Sequence, residues 1–434
     1  DNMARRALRW LYRTFRLVAL TGAFLVGVLL VAMPAPAFAE KSPQHVEQTD
    51  QISGGAPTPQ ERELANRHAT QGRLIFLGSF LYQGALLFGF LLLGGTRWLA
   101  RLVARFGGRW VFALGAVLGI LAVAGTVLSL PLDYYAGFIF PHQYGLSNQT
   151  FPQWLRDYLL NDGVSLVISL PVLVLFYAVL RWAPRTWWLW MGVASAPLSI
   201  FLVLIQPVFI APLFNKFTSL RDVELRQEIL ALAQSQGIEA HDVYEVDASR
   251  QSKAVNAYVN GFGPTQRIVL YDTLLTYFTH DEIKFVMAHE MGHYVLGHIR
   301  QGIIVSIIGT LVGGFAVYWM AGWLLGRYAG FFGFSTLAHP ASYPLLMALG
   351  MALSLVAFPL GNAYSRHLEA QADRFAVEIY PYPDAGISAF HKMARLNISQ
   401  ENPPAWVELL LASHPSIQQR IAMLEAAKRQ ERGL

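Results

Sequence analysis

Seven apolar runs, each near the ~20 residues that cross a bilayer, constrain this chain more than any other feature. They fall at Leu17–Met33, Leu74–Leu93, Val111–Leu130, Val164–Leu180, Trp187–Phe209, Ile303–Leu325 and Tyr343–Gly361. Only 14% of the 434 residues are charged, against about 25% in soluble globular domains. A large soluble protein with seven such buried helices would lack the polar surface to cover them. The expectation is a mainly α membrane protein with about seven transmembrane helices.

The net charge is +5, and the arginines are clustered. Arg97, Arg101, Arg105 and Arg109 lie between two apolar runs, and Arg181 and Arg185 between two others. This is membrane-flank chemistry, not a nucleic-acid stripe. Counting spans puts these loops and the basic N-terminal segment on one side, which positive-inside bias makes cytoplasmic. Residues 213–301 and the C-terminal tail then face outward, as in a bacterial inner membrane with an extracytoplasmic domain. The alternative is a cytosol-facing domain, and the loop 326–342, with only Arg327, adds little to the choice. Cysteine is absent, which rules out disulfides and Cys-ligated metal.

Arg5, Arg6, Arg9, Arg13 and Arg16 precede the first apolar run, and Ala37-Phe38-Ala39 follows it. Residues 1–39 therefore read as a signal peptide or as a first transmembrane helix. Residues 40–72 read as a polar linker and 73–212 as an N-terminal membrane domain. Pro131–Asp162 within that domain reads as a polar-aromatic loop. Residues 213–434 form a catalytic domain interrupted by two spans, 303–325 and 343–361. In it, Leu225–Gln236 has helical spacing and Val243–Val246 reads as a strand. Ala254–Val259 and Arg267–Tyr271 alternate like paired strands around Gly261-Phe262-Gly263-Pro264.

The chemistry is concentrated in V-M-A-H-E-M-G-H-Y. His289 and His293 are about one helical turn apart and share a face, so two neutral imidazoles can hold one metal ion. Glu290 lies about 100° further round, where it reaches a water beside the metal without binding the metal itself. Thr279 and Glu282 form a capping box that opens this helix from about His280. A catalytic zinc needs a third protein ligand. N-A-Y-S-R-H-L-E-A-Q-A-D supplies Glu369 and Asp373, four apart on one face. Glu369 can ligate, and Asp373 can hold the Nδ1–H of a ligand histidine. On spacing alone a solvated acidic pair is an equal reading.

H-E-M-G-H-Y-V-L-G-H and N-A-Y-S-R-H-L-E-A-Q-A-D together resemble the type I CAAX prenyl endoproteases, which are integral-membrane gluzincins. So do P-V-F-I-A-P-L-F-N-K-F-T at 207–218, V-N-A-Y at 255–258, R-I-V-L-Y-D-T-L-L at 267–275 and S-H-P-S at 413–416. The resemblance covers about residues 74–425. It implies one zinc ion per chain on His289, His293 and Glu369, with Glu290 as base and Asp373 behind a ligand. It also implies helices enclosing a water-filled chamber, with a zincin-like α+β catalytic domain facing it. By the same resemblance, Asn256 lies on a strand that pairs with extended substrate, and His414 donates to the substrate carbonyl or oxyanion. Arg366 matches the motif and is expected to pair with a carboxylate, in a structural or a catalytic role. His298 also matches, but it is about 140° round the helix from His293 and reads as structural. His367 and His391 receive no role.

The expected function is zinc-dependent peptide hydrolysis within a membrane protein, acting on peptides or proteins that are lipid-modified or membrane-proximal. A signal-like N-terminus and outward-facing domain argue against prenylated cytosolic substrates. The alternatives are a transporter and a non-catalytic scaffold or chaperone on the same fold. Scarce ionisable residues in the apolar runs weigh against transport, and the intact H-E-x-x-H and Glu369 weigh against a silent scaffold.

Overall fold

The computed structural model describes residues 52–261 and 266–431. The first apolar run, the choice between signal peptide and retained helix for 1–39, and the turn residues 262–264 lie outside the described residues. Six helices among the described residues are long and apolar enough to cross a membrane. The first is α1 (Pro59–Leu92), opened by a capping box between Thr58 and Glu61 with Pro59 in its first turn. Residues 59–72 of the polar stretch are therefore helix, continuous with the span. After the short α2 (Gly95–Ala104) come α3 (Trp110–Tyr134), α4 (Phe151–Trp182) and α5 (Trp187–Ile205).

The stretch from Pro131 to Asp162 is mostly helix rather than loop. α3 runs on through a π turn at Tyr135–Ile139 to Gln143, and α4 begins at Phe151, leaving a connection of only 144–150. Polar helix ends project beyond the apolar window while keeping their backbone hydrogen bonds inside the helix. Tyr134, Phe138, Phe151 and Trp154 pack there as an edge-on aromatic cluster.

These helix ends hold the catalytic domain. Arg250 pairs with Asp157 at 3.2 Å, Asn148 donates to the Ser249 carbonyl at 2.8 Å, and Arg73 donates to Gln400 at 3.0 Å. At most 22% of any span's apolar window is buried. Most of each span is thus left open to its surroundings. Their outward side chains, such as Val123, Val167, Val193 and Leu355, are apolar and suited to lipid.

The catalytic domain carries a four-stranded sheet of order β1-β2-β4-β3, with β1 (Phe217–Ser219), β2 (Val243–Val246), β3 (Ala257–Asn260) and β4 (Arg267–Tyr271). β2 and β4 are parallel and the other pairs antiparallel. Alternation decides which face is buried: Val243, Ala257, Ile268 and Leu270 point into the core. That core is shared with α6 (Val223–Ser235) through Leu225 and Ile229, and with α7 (His280–Val295) through Ile283, Met287 and Met291. β3 is an edge, bonded to β4 on one side only.

Two long helices follow. α8 (His298–Phe332) starts at once after α7, across Gly297 in a left-handed conformation (φ +69°). α9 (Tyr343–Ile379) spans the membrane and then continues 18 residues past Gly361 into the catalytic domain. α10 (Pro383–Leu396) and α11 (Ile417–Glu431) complete the domain. α7 and α9 approach closely at Gly292, where an added Cβ would lie 3.2 Å from the backbone of Ala372 and 3.1 Å from the Phe375 ring.

Candidate metal centre

The centre is built where α7 meets the outer part of α9. The capping box between Thr279 and Glu282 forms and fixes where α7 begins. Buried Lys392 then pairs with Glu282 at 2.7 Å, anchoring that helix end to α10. From there the i, i+4 spacing brings the Nε2 atoms of His289 and His293 to 3.2 Å from each other. Glu369 reaches both, at 3.3 Å from His289 and 3.4 Å from His293. These three offer ligand atoms within 4.8 Å of one another.

The donor set fits a zinc ion. Two imidazole nitrogens and a carboxylate converge with their lone pairs facing one another. Oε2 of Glu369 is buried and accepts no hydrogen bond, although His289 Nε2 is 3.3 Å away. Groups aimed at a common third point show this geometry, and a buried carboxylate oxygen left unpaired is costly. A cation between the three resolves both.

The far side of each ligand is also held. Asp373 is 2% exposed and accepts the Nδ1–H of His289 at 2.8 Å. Arg420 on α11 grips the same carboxylate through Nε at 2.8 Å and Nη2 at 2.5 Å, with its guanidinium 4.1 Å over the Phe390 ring. With its Nδ1 proton committed to Asp373, His289 turns Nε2 toward His293 and Glu369. Burial works against the charged form of His289, but the Asp373 and Glu369 carboxylates outweigh it and hold its pKa up at about 9, so Nε2 must give up its proton to ligate a metal.

His298 is placed differently from the sequence expectation. The 140° estimate assumes one continuous helix, whereas the chain breaks at Gly297 and His298 opens α8. Its ring turns back so that its Nδ1 lies 2.9 Å from Nδ1 of His293. His298 Nε2 then meets Gln371 Oε1 at 3.1 Å, and Gln371 Nε2 meets His367 at 3.2 Å. With His293 Nε2 turned to the metal position, its Nδ1–H donates to His298, and every later bond runs in the same direction. His293 is thereby held neutral and oriented. Burial, then the neighbouring His289 charge, pushes its pKa down to about 4.

Glu290 lies beside the cluster, mostly buried, and its carboxylate has no hydrogen-bond partner among the described residues. Burial raises its pKa to about 7, with Glu369 adding repulsion against the opposing pull of His289. His414 directs Nε2 to within 3.4 Å of Glu369 Oε1, while its Nδ1 is 2.9 Å from the Ser413 hydroxyl. Burial lowers its pKa, which favours the neutral ring.

Arg366 pairs with no carboxylate among the described residues. It donates to the Ala412 carbonyl at 2.6 Å, and one turn earlier Asn362 donates to Leu410 at 2.9 Å. These two residues of α9 hold the segment that presents His414. Asn256 is exposed immediately before β3, and its carbonyl accepts from Tyr271 at 3.1 Å. It lines a cavity of about 800 Å³ with Phe214, Tyr258 and Asn397. His391 bonds Glu401 at 2.9 Å, away from the centre.

Sequence reasoning missed Arg420, Asn362 and the His298–Gln371 chain. Asp373→Asn tests the support behind His289. It removes half of the Arg420 grip and the charge facing His289. Zinc affinity should fall by ~10–100-fold, read by chelator competition. Unchanged affinity would show that Asp373 does not orient the ligand.

The model of peptidase family M48 matches residues 219–428, and that of the CAAX prenyl protease N-terminal region, five membrane helices, matches residues 63–216. The metalloprotease YhfN of Bacillus subtilis (strain 168) is 32% identical, over 88% of this chain and 90% of its own. CAAX prenyl protease 1 of Saccharomyces cerevisiae is 30% identical over 71% of each chain. The crystal structure of S. mikatae Ste24p superposes with a TM-score of 0.75 at 23% identity, covering 96% of this chain and 99% of that one.

Proposed function

The chain belongs to the M48 peptidase family and is a multi-pass membrane zinc metalloprotease, and on that premise we propose that it hydrolyses peptide bonds with Glu290 as general base. The observation that carries the reading is the convergence of His289, His293 and Glu369 beside a buried carboxylate that is otherwise unengaged. Zinc, when bound there by those three residues, supplies Lewis acidity toward water and the scissile carbonyl.

The remaining work falls to side chains and backbone. Glu290 takes a proton from the attacking water as the C–O bond forms and returns it to the leaving amine as the C–N bond breaks. A pKa near 7 suits both transfers. His414 can donate Nε2–H to the carbonyl oxygen, because the Ser413 hydroxyl can supply its Nδ1 with a proton. The free edge of β3, with Asn256 at its start, offers backbone groups to an extended peptide.

The reading is tested by cleavage of an extended reporter peptide by the purified protein. Cleavage should cease on chelation and return with zinc, and Glu369→Gln should lose both metal and cleavage. Activity that persists without metal, or full metal content in Glu369→Gln, would remove the proposed centre.

We place the catalytic domain outside the cytoplasm, on the evidence of the arginines in the short loops 94–109 and 181–186. The substrates this favours are extended or membrane-proximal peptides reaching the chamber from that side, in preference to prenylated cytosolic chains. Because the chain has no cysteine, Gln234→Cys gives a single thiol for impermeant labelling. Labelling in intact cells whose outer surface is opened is the expected result. Labelling only after the cytoplasm is opened reverses the topology and makes the CAAX reading the better one.

A further inference from the structure

The end of the membrane helices remote from the metal centre carries positive charge that no carboxylate among the described residues neutralises. Residues 64–132, 163–221 and 291–368 contain no aspartate or glutamate. These stretches include all the helix connections at that end. Arg97 is satisfied locally, donating to the carbonyls of Gly330 and Phe331. Arg109 and Arg181 are not: neither side chain has an ion pair or a hydrogen bond among the described residues, and the Arg181 guanidinium only rests over the Trp110 ring at 5.2 Å.

These two arginines flank a cavity of about 250 Å³ between α3 and the 336–340 segment. Its other polar side chains can serve as donors. Arg109 is the N-cap of α3 and gives no side-chain cap; the Trp110 N–H already bonds the Gly108 carbonyl at 2.8 Å, which leaves the Val111 and Phe112 N–H groups for another acceptor. His339 Nδ1 accepts the Ala341 N–H at 3.2 Å, which leaves the His339 proton on Nε2. Thr336 adds a hydroxyl. Two exposed guanidiniums without a carboxylate partner among the described residues, the Val111 and Phe112 N–H groups and an imidazole N–H around one cavity describe a receptor for a phosphate.

We propose that this pocket binds the headgroup phosphate of an anionic phospholipid. The adjacent surface decides for a lipid over a free anion. Immediately beyond Trp110, α3 turns Val111 and Phe112 outward, 42% and 69% exposed, in a stretch that lies in the membrane. Acyl chains can lie along that face while the phosphate sits against Arg109 and Arg181. Trp110 stands at the boundary between the two, where amphipathic rings settle. Basic pockets between helices at a membrane surface bind such headgroups. From Tyr343, beside this pocket, to Glu369 is 26 residues of α9, roughly 39 Å at the helical rise. The lipid therefore does not touch the reacting groups.

The test uses the full-length protein in nanodiscs of dioleoylphosphatidylglycerol or dioleoylphosphatidylcholine, with retained lipid counted by native mass spectrometry. The wild type should hold phosphatidylglycerol in preference to phosphatidylcholine, a comparison that needs no variant. Arg109→Gln with Arg181→Gln should weaken that retention roughly 25-fold, as two surface arginines at a membrane imply. Arg101→Gln with Arg185→Gln, at the same end but outside the cavity, should weaken it far less. Equal retention of the two lipids by the wild type overturns the proposal. So does equal loss in both double variants, which means a diffuse field and no pocket. Displacement of phosphatidylglycerol by millimolar inorganic phosphate would assign the pocket to free phosphate and overturn the lipid reading. Zinc content of each variant reports its folding independently.

Discussion

In Glu290→Gln, peptide cleavage falls by ~10²–10⁴-fold while zinc content and fold are retained. The substitution keeps the size of the side chain and removes only its capacity to take a proton. Glu290 has no hydrogen-bond partner among the described residues, so no structural contact is lost with the charge. His289 and His293, one residue before and three after, hold their positions through Asp373 and His298. Neither depends on Glu290. Metal analysis and turnover measured on the same sample separate the two effects. Near-normal turnover would force a different base. Loss of zinc together with activity would mean that Glu290 belongs to the ligand set.

His414→Ala lowers turnover by ~10²-fold or more, in the range of lost oxyanion donors, again with zinc retained. The prediction follows from where Nε2 points, 3.4 Å from Glu369 Oε1. It also follows from how the segment is held, by Arg366 on Ala412 and Asn362 on Leu410. A donor to the developing charge acts on kcat more than on KM, and that split is the readout. A rise in KM alone would make His414 a substrate-binding residue. A change in zinc content would make it a fourth contact of the metal.

The readable parts of this protein were those encoded by local spacing. A run of about 20 apolar residues can do little but span, and two histidines four apart on a helix must share a face. The capping box at Thr279 is likewise a statement about four consecutive residues. What escaped depends on contacts that no local pattern records. Arg420 lies 47 residues beyond Asp373 in sequence and is one arginine among many. Arg366 finds a carbonyl rather than the expected carboxylate, Asn362 finds another, and backbone acceptors leave no mark in a sequence. His298 was misplaced because a single left-handed glycine converts a 140° offset into a turn back on His293. The stretch 131–162 was misread because polarity was taken for loop, when it marked only the height at which helices leave the apolar layer.

The metal ligands hang from membrane helices on both sides. α7 passes through Leu296 and Gly297 into α8, and Glu369 lies eight residues beyond Gly361 on the same helix that crosses the bilayer. Transmembrane helices answer a thicker or thinner bilayer by changing tilt. Over the roughly 12 Å from Gly361 to Glu369, a change of about 5° would carry the carboxylate about 1 Å, a displacement that can cost about 10²-fold in rate. The thickness of the host membrane is thus a geometric variable of the catalytic centre. The contact of Gly292 with Ala372 and Phe375 is where the protein resists it, by making the two ligand-bearing helices lean as one.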